Sequence, residues 1–162
     1  MPGTTINETH FQYCPKLFLI DEAASAVLLA RRTGEADYDQ TFSLIGGKME
    51  RGDGSLLTAL SREKNEEIGT RAIVEVLPTF SHNVVFHKAD GNAIVLPHFL
   101  ARYVGGDIQL NDEYSEYRWV ALDRLASFTP MIENIPEVGR ILLRLPRIVD
   151  SSEYVRLSAD PL

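Results

Sequence analysis

Apolar residues fall along this chain in short runs separated by polar breaks, and in two segments they recur at helical spacing. Residues 16–20 (KLFLI) and 26–32 (AVLLARR) are two such runs, with 21–25 between them. Short apolar runs bounded by polar residues predict strands, here a β-hairpin whose second arm is apolar enough to be buried. Residues 72–77 (AIVEVL), 80–87 (FSHNVVFH) and 93–103 (AIVLPHFLARY) predict further strands, with Pro78 at a strand end. The turn at 89–92 makes the last two antiparallel partners, and Gly105-Gly106 closes the second. Residues 117–120 predict another strand, followed by a short helix from Leu122. Helical spacing appears at 56–68, between Ser55 as N-cap and Gly69 as C-terminal stop, and at 135–148. The latter has Pro136 in its first turn and Pro146 as its end. Residues 1–15 are polar and end at Pro15, which reads as a loosely ordered arm or edge segment, and the tail after 148 carries no pattern. Strands around one helix, then strands, then a terminal helix predict an α/β protein of one domain spanning 1–162.

The 56–68 helix carries the candidate chemistry. At 100° per residue, Leu56, Leu57, Leu60 and Ile68 share one arc. Glu63, Glu66 and Glu67 lie within one turn of each other. Glu63 and Glu67 project onto the edge of the apolar arc, where carboxylates repel one another and resist losing water. A hard divalent cation such as Mg²⁺, which prefers oxygen ligands, is the simplest compensation. Lys64 projects into the apolar arc, so its stem is expected along the core edge with its amine reaching water.

Composition narrows the class. The formal net charge is −7, which argues against binding along a nucleic-acid polymer. The single cysteine, Cys14, excludes an internal disulfide and fits a reducing, cytoplasmic compartment. No apolar run approaches membrane-spanning length and no signal-peptide core is present. His82, His87 and His98 lack metal-ligand spacing.

The stretch 46–70, GGKMERGDGSLLTALSREKNEEIGT, resembles the signature of the Nudix hydrolases. That signature runs from a glycine loop through a glutamate to Arg-Glu, then Glu-Glu and a closing glycine. Gly47, Arg62, Glu63, Glu66, Glu67 and Gly69 match it. Asp53 stands where the family has its first Glu, and one extra residue, most simply Gly54, precedes the helix. Lys64 and Thr70 replace apolar positions. Further on, Glu113, Tyr117 and Trp119 match a Glu-x-x-x-Tyr-x-Trp run found in nucleoside-triphosphate pyrophosphatases of the family.

The resemblance implies an α/β/α sandwich with a mixed β-sheet and a loop–helix–loop catalytic motif. It implies that Glu63, Glu66, Glu67 and the Gly46 carbonyl hold Mg²⁺, with Mn²⁺ able to substitute. It implies Glu67 or Glu113 as general base, with Glu116 as the fallback for the second, and Arg62 as the group orienting the carboxylates. Lys48, Arg31 and Arg32 are the candidate substrate-binding residues, although each also fits a solvated surface or strand-end cation. The implied reaction is Mg²⁺-dependent cleavage of a nucleoside or deoxynucleoside triphosphate to monophosphate and pyrophosphate. Two alternatives stand beside it: hydrolysis of another nucleoside diphosphate derivative such as a nucleotide sugar, and a non-catalytic nucleotide-binding module. The expected partner is a small-molecule nucleotide, without membrane or nucleic-acid polymer, and many relatives are homodimers.

Overall fold

In a computed structural model the described residues are 11–160. Among them nine strands form one mixed sheet: β1 (Phe11–Tyr13), β2 (Lys16–Asp21), β3 (Ala26–Arg32), β4 (Phe42–Ser43), β5 (Ile73–Val76), β6 (His82–His87), β7 (Ala93–Gly105), β8 (Tyr114–Ala121) and β9 (Val155–Arg156). Two α-helices accompany them, α1 (Leu56–Ile68) and α2 (Ile135–Leu142).

The sheet is built on β7. It pairs in parallel with β1 and β2, and antiparallel with β5 and β6. β3 pairs antiparallel with β2, β4 and β8. The hairpin of β6 and β7 follows the expected pattern, with His82 opposite His98 and His87 opposite Ala93.

Alternation along β2 and β3 divides the core in two. Leu17, Leu19, Leu28 and Ala30 pack with Leu60 and Ile68 of α1. Phe18, Ile20, Val27 and Leu29 pack on the other face with Ile135, Val138 and Leu142 of α2. These strands are buried on both faces because both of their side-chain rows are apolar, so the sheet lies between the two helices as an α/β/α sandwich. Full burial of a leucine or isoleucine stabilises by about 1.5–3 kcal/mol, so Leu60 and Ile68 between them dock α1 firmly.

Four expectations are refined. The loose-arm reading of 1–15 covers residues 1–10, which lie outside the described residues; Phe11–Tyr13 form an ordered edge strand, because their backbone pairs with 93–95 of β7. The second helix ends at Leu142 rather than at Pro146, and a 3₁₀ turn at Leu145–Arg147 takes Pro146 near its start, where a missing N–H is harmless. The patternless tail supplies β9, which pairs Val155 and Arg156 with β5. Finally, Lys64 is buried and its amine does not reach water. Its Nζ donates to the carbonyl of the C-cap Gly69 at 3.3 Å and to that of Ala72, in the turn that follows, at 3.0 Å.

Candidate active site

α1 forms where its caps say it should. Ser55 accepts from the Thr58 N–H at 3.1 Å, and the Gly69 N–H donates to Asn65 at 3.1 Å. The helix thereby presents Arg62, Glu63, Glu66 and Glu67 toward the loop that follows β4. That loop is held against the sheet, since the Leu17 N–H donates to Ile45 and the Met49 N–H donates to Tyr13.

Glu67 is the most enclosed of the carboxylates, with 2% of its surface exposed. The Gly46 N–H donates to its Oε2 at 2.6 Å, and the Tyr114 hydroxyl donates to its Oε1 at 3.0 Å. Burial pushes its carboxyl up to about 7, against the opposing pull of the Lys16 charge and these donors. Gly46 is required there: its φ is +122°, and a Cβ on it would lie 2.2 Å from the Pro15 carbonyl oxygen. At Gly47 a Cβ would meet Glu63 Oε2 at 2.5 Å, so any larger residue there displaces the Glu63 carboxylate.

Arg62 gathers the other acids. Its Nε and Nη2 donate to the two Asp53 oxygens at 2.8 and 3.0 Å. Nη1 donates to Glu63 Oε1 at 2.8 Å and Glu66 Oε2 at 3.2 Å, and Nη2 also reaches the Lys48 carbonyl at 2.9 Å. The hydrogen bonds from Arg62 hold the Asp53 carboxyl below the usual carboxylate range, and the Asp53 carboxylate in turn raises the guanidinium. Burial raises Glu63, with Arg62 opposing. Asp53 is buried at the end of a 3₁₀ turn, Arg51–Asp53, and also accepts from the Glu50 N–H at 2.6 Å. Gly54, at φ +66°, links this turn to the helix cap.

The expected convergence of Glu63, Glu66 and Glu67 is only partial. Among the described residues, no three His, Cys, Asp or Glu side chains close on one point. Glu63 and Glu66 share Arg62, whereas Glu67 turns toward Gly46 and Tyr114. Each carboxylate is drawn to its nearest donors, the guanidinium for Glu63 and Glu66 and the Gly46 N–H and Tyr114 hydroxyl for Glu67. The donor set itself, carboxylate oxygens and a peptide carbonyl, suits a hard divalent cation and fits none of the softer metals.

The remaining sequence-derived residues are scattered. Glu113 is exposed: its carboxylate accepts from Asn111 Nδ2 at 3.4 Å, its N–H donates to Asn111 Oδ1 at 3.1 Å, and its carbonyl accepts from the Thr33 N–H at 2.9 Å. Its neighbour Tyr114 reaches Glu67. Arg31 pairs with Glu116 at 3.3 Å, and Arg32 with Glu35 at 3.1 Å. The Lys48 side chain is exposed beside an open crevice of about 670 Å³ lined also by Phe11, Tyr13, Met49 and Arg51. Trp119 packs against Tyr103, their centroids 5.3 Å apart, as a core residue. Sequence reasoning missed Tyr114 and Lys16. The only signal for the first was a tyrosine adjoining Glu113; the second gave none beyond opening an apolar run.

A NUDIX domain model matches residues 16–140, and the chain belongs to the Nudix family. It is accordingly a hydrolase of phosphoanhydride bonds, in a family that generally uses divalent metal ions and acts on small-molecule nucleotides. Solved structures of the same fold include the MutT protein from Methanosarcina mazei Go1, at 23% identity and a TM-score of 0.69, covering 85% of this chain and 96% of that one. A C. elegans Ap4A hydrolase in a binary complex aligns at 18% identity and a TM-score of 0.63, covering 84% of this chain and 96% of that one. A UDP-X diphosphatase aligns at 22% identity and a TM-score of 0.62, covering 86% of this chain and 64% of that one. Comparison with curated proteins returns no match. No helix among the described residues is long and apolar enough to cross a membrane.

Proposed function

We propose that this hydrolase cleaves a nucleoside or deoxynucleoside triphosphate to the monophosphate and pyrophosphate, with Mg²⁺ as its cation and Mn²⁺ as a substitute. The observation that carries the reading is the buried Glu67, bonded to the Gly46 N–H beside the Arg62-bound pair Glu63 and Glu66. Glu63, Glu66, Glu67 and the Gly46 carbonyl would hold the ion. When bound, it would supply charge neutralisation for the diphosphate oxygens and acidify a water molecule.

The chain's own residues do the rest. Arg62, aimed by Asp53, fixes Glu63 and Glu66 and leaves Glu63 Oε2 without a hydrogen bond among the described residues. Of the two candidate bases we assign the proton to Glu67: it lies within the cluster, bonded to the Gly46 N–H and the Tyr114 hydroxyl, while Glu113 is exposed on its loop. Lys48 and Arg51, at the edge of the crevice with Phe11 and Tyr13, suit a phosphate chain and a planar base, respectively meeting charge and stacking. Arg31 and Arg32 reach substrate in this reading only by leaving Glu116 and Glu35. The net charge and buried Cys14 agree with a cytoplasmic enzyme working on free nucleotides, without nucleic-acid polymer or membrane.

The test is hydrolysis across a nucleotide panel with and without Mg²⁺, with products identified by mass. Pyrophosphate released from a triphosphate only with metal supports the reading. A sugar phosphate released while triphosphates stay intact replaces it with the nucleotide-sugar alternative. Tight nucleotide binding without turnover replaces it with the binding module.

A further inference from the structure

Lys16 opens β2 opposite His98, and its Nζ donates to the carbonyl of Gly46. The same glycine gives its N–H to Glu67, so one residue joins an ammonium to the deepest carboxylate of the site. Arg62, the other cation of the cluster, spends its donors on Asp53, Glu63, Glu66 and the Lys48 carbonyl. Lys16 is therefore the cation on the Glu67 side. Its charge also favours the ionised form of Glu63. The loop that carries Gly46 is tied to β2 beside Lys16, where the Leu17 N–H donates to the Ile45 carbonyl. Rotation of the flexible four-carbon stem can free the carbonyl without moving this backbone.

We propose that Lys16 is a tethered cation of this site, which occupies the Gly46 carbonyl in the metal-free protein and competes with a divalent ion for it. The inference rests on the metal-site reading above. Four acids, Asp53, Glu63, Glu66 and Glu67, face two fixed cations, Lys16 and Arg62. Removing Lys16 makes the cluster more negative and leaves the carbonyl lone pairs open. A divalent ion then meets less repulsion and gives up nothing to displace a bonded ammonium.

The experiment is a titration of Mn²⁺ alone into the metal-free full chain, followed by calorimetry, for wild type, Lys16→Met and Lys16→Arg. Lys16→Met is expected to bind Mn²⁺ about tenfold more tightly, although its metal-free form melts at a lower temperature. Lys16→Arg, which keeps a cation, is expected to stay near wild type. Structural damage alone would weaken the ion, so the sign separates competition from misfolding. Equal or weaker binding by Lys16→Met overturns the proposal and leaves the metal site standing. Absence of Mn²⁺ binding in every protein overturns the metal site and the proposal together. Should Lys16→Met fail to fold, lysine-labelled wild type decides: the Lys16 Cε resonance shifts on Mg²⁺ addition if the ammonium is displaced, and a static resonance overturns the proposal.

Discussion

Asp53 and Arg62 meet as a two-pronged ion pair, with Oδ1 taking Nε at 2.8 Å and Oδ2 taking Nη2 at 3.0 Å. This geometry fixes the guanidinium plane and leaves Nη1 directed at Glu63 and Glu66. Asp53 thus acts on the carboxylates through Arg62. Asp53→Asn keeps the shape and removes the charge. Turnover is expected to fall about 10–100-fold, the usual effect of losing a group that orients metal-binding side chains. Stability should drop by about 1–3 kcal/mol, because the buried side of the guanidinium loses a charged partner. Steady-state kinetics and urea unfolding check both, and unchanged kcat would remove Asp53 from the mechanism.

Glu67→Gln separates charge from shape. The amide can still accept from the Gly46 N–H, and the Tyr114 hydroxyl can turn to accept from the new NH₂. Folding is expected to survive, while turnover falls by about 10²–10⁴-fold, the range for loss of a general base. Glu113→Gln, at an exposed loop position, is expected to leave kcat within a few-fold, measured in the same assay. A larger loss from Glu113→Gln than from Glu67→Gln would exchange their roles.

How much of this was legible beforehand varies with the range of the interaction concerned. Ser55 and Gly69 delimit α1 because capping is a local matter, and the double-sided burial of β2 and β3 is written in their unbroken apolar runs. Arg62 and the three glutamates were legible because they share one helix at fixed spacing. Lys16 and Tyr114 were not, since each meets its partner across a fold boundary: Lys16 and Gly46 are 30 positions apart, and Tyr114 and Glu67 are 47. Lys64 misled because a lysine on an apolar arc ordinarily snorkels, whereas here the carbonyls of Gly69 and Ala72, at the helix cap and in the turn after it, lie within its reach. β9 is two residues long and carries no alternation to read.

Gly47→Ala tests crowding at the loop. The glycine has no unusual backbone angle, so the added methyl acts only by pushing on the Glu63 carboxylate 2.5 Å away. Activity is expected to fall by an order of magnitude or so, while the melting temperature moves by only a few degrees. A fully active Gly47→Ala protein would show that the position of Glu63 does not matter.

His98 sets an acid limit on stability. It is 3% exposed, its Nδ1 lies 3.1 Å from the His82 carbonyl, and burial lowers its pKa to about 4. An unfolded histidine titrates near ~6.5, so between the two values the unfolded chain binds the extra proton. Its contribution is therefore complete above about 6.5 and lost as pH falls toward 4, a change of about 3 kcal/mol. Urea unfolding of wild type and His98→Gln at pH 7 and 4.5 checks this: the variant should lose distinctly less stability on acidification.

The thirteen residues of β7 are flanked by β1 and β2 along one edge and by β6 and β5 along the other. β9 pairs only with β5 and β1 covers only the first residues of β7, so both can peel away while the middle of β7 stays clamped between β2 and β5. Amide protons in the middle of β7, around Leu100, should therefore exchange with solvent only when the whole molecule opens, and those of β1 and β9 far sooner. The crevice wall formed by Phe11 and Tyr13 belongs to that quick-opening class, so it breathes on a clock independent of the scaffold that carries the carboxylates of α1.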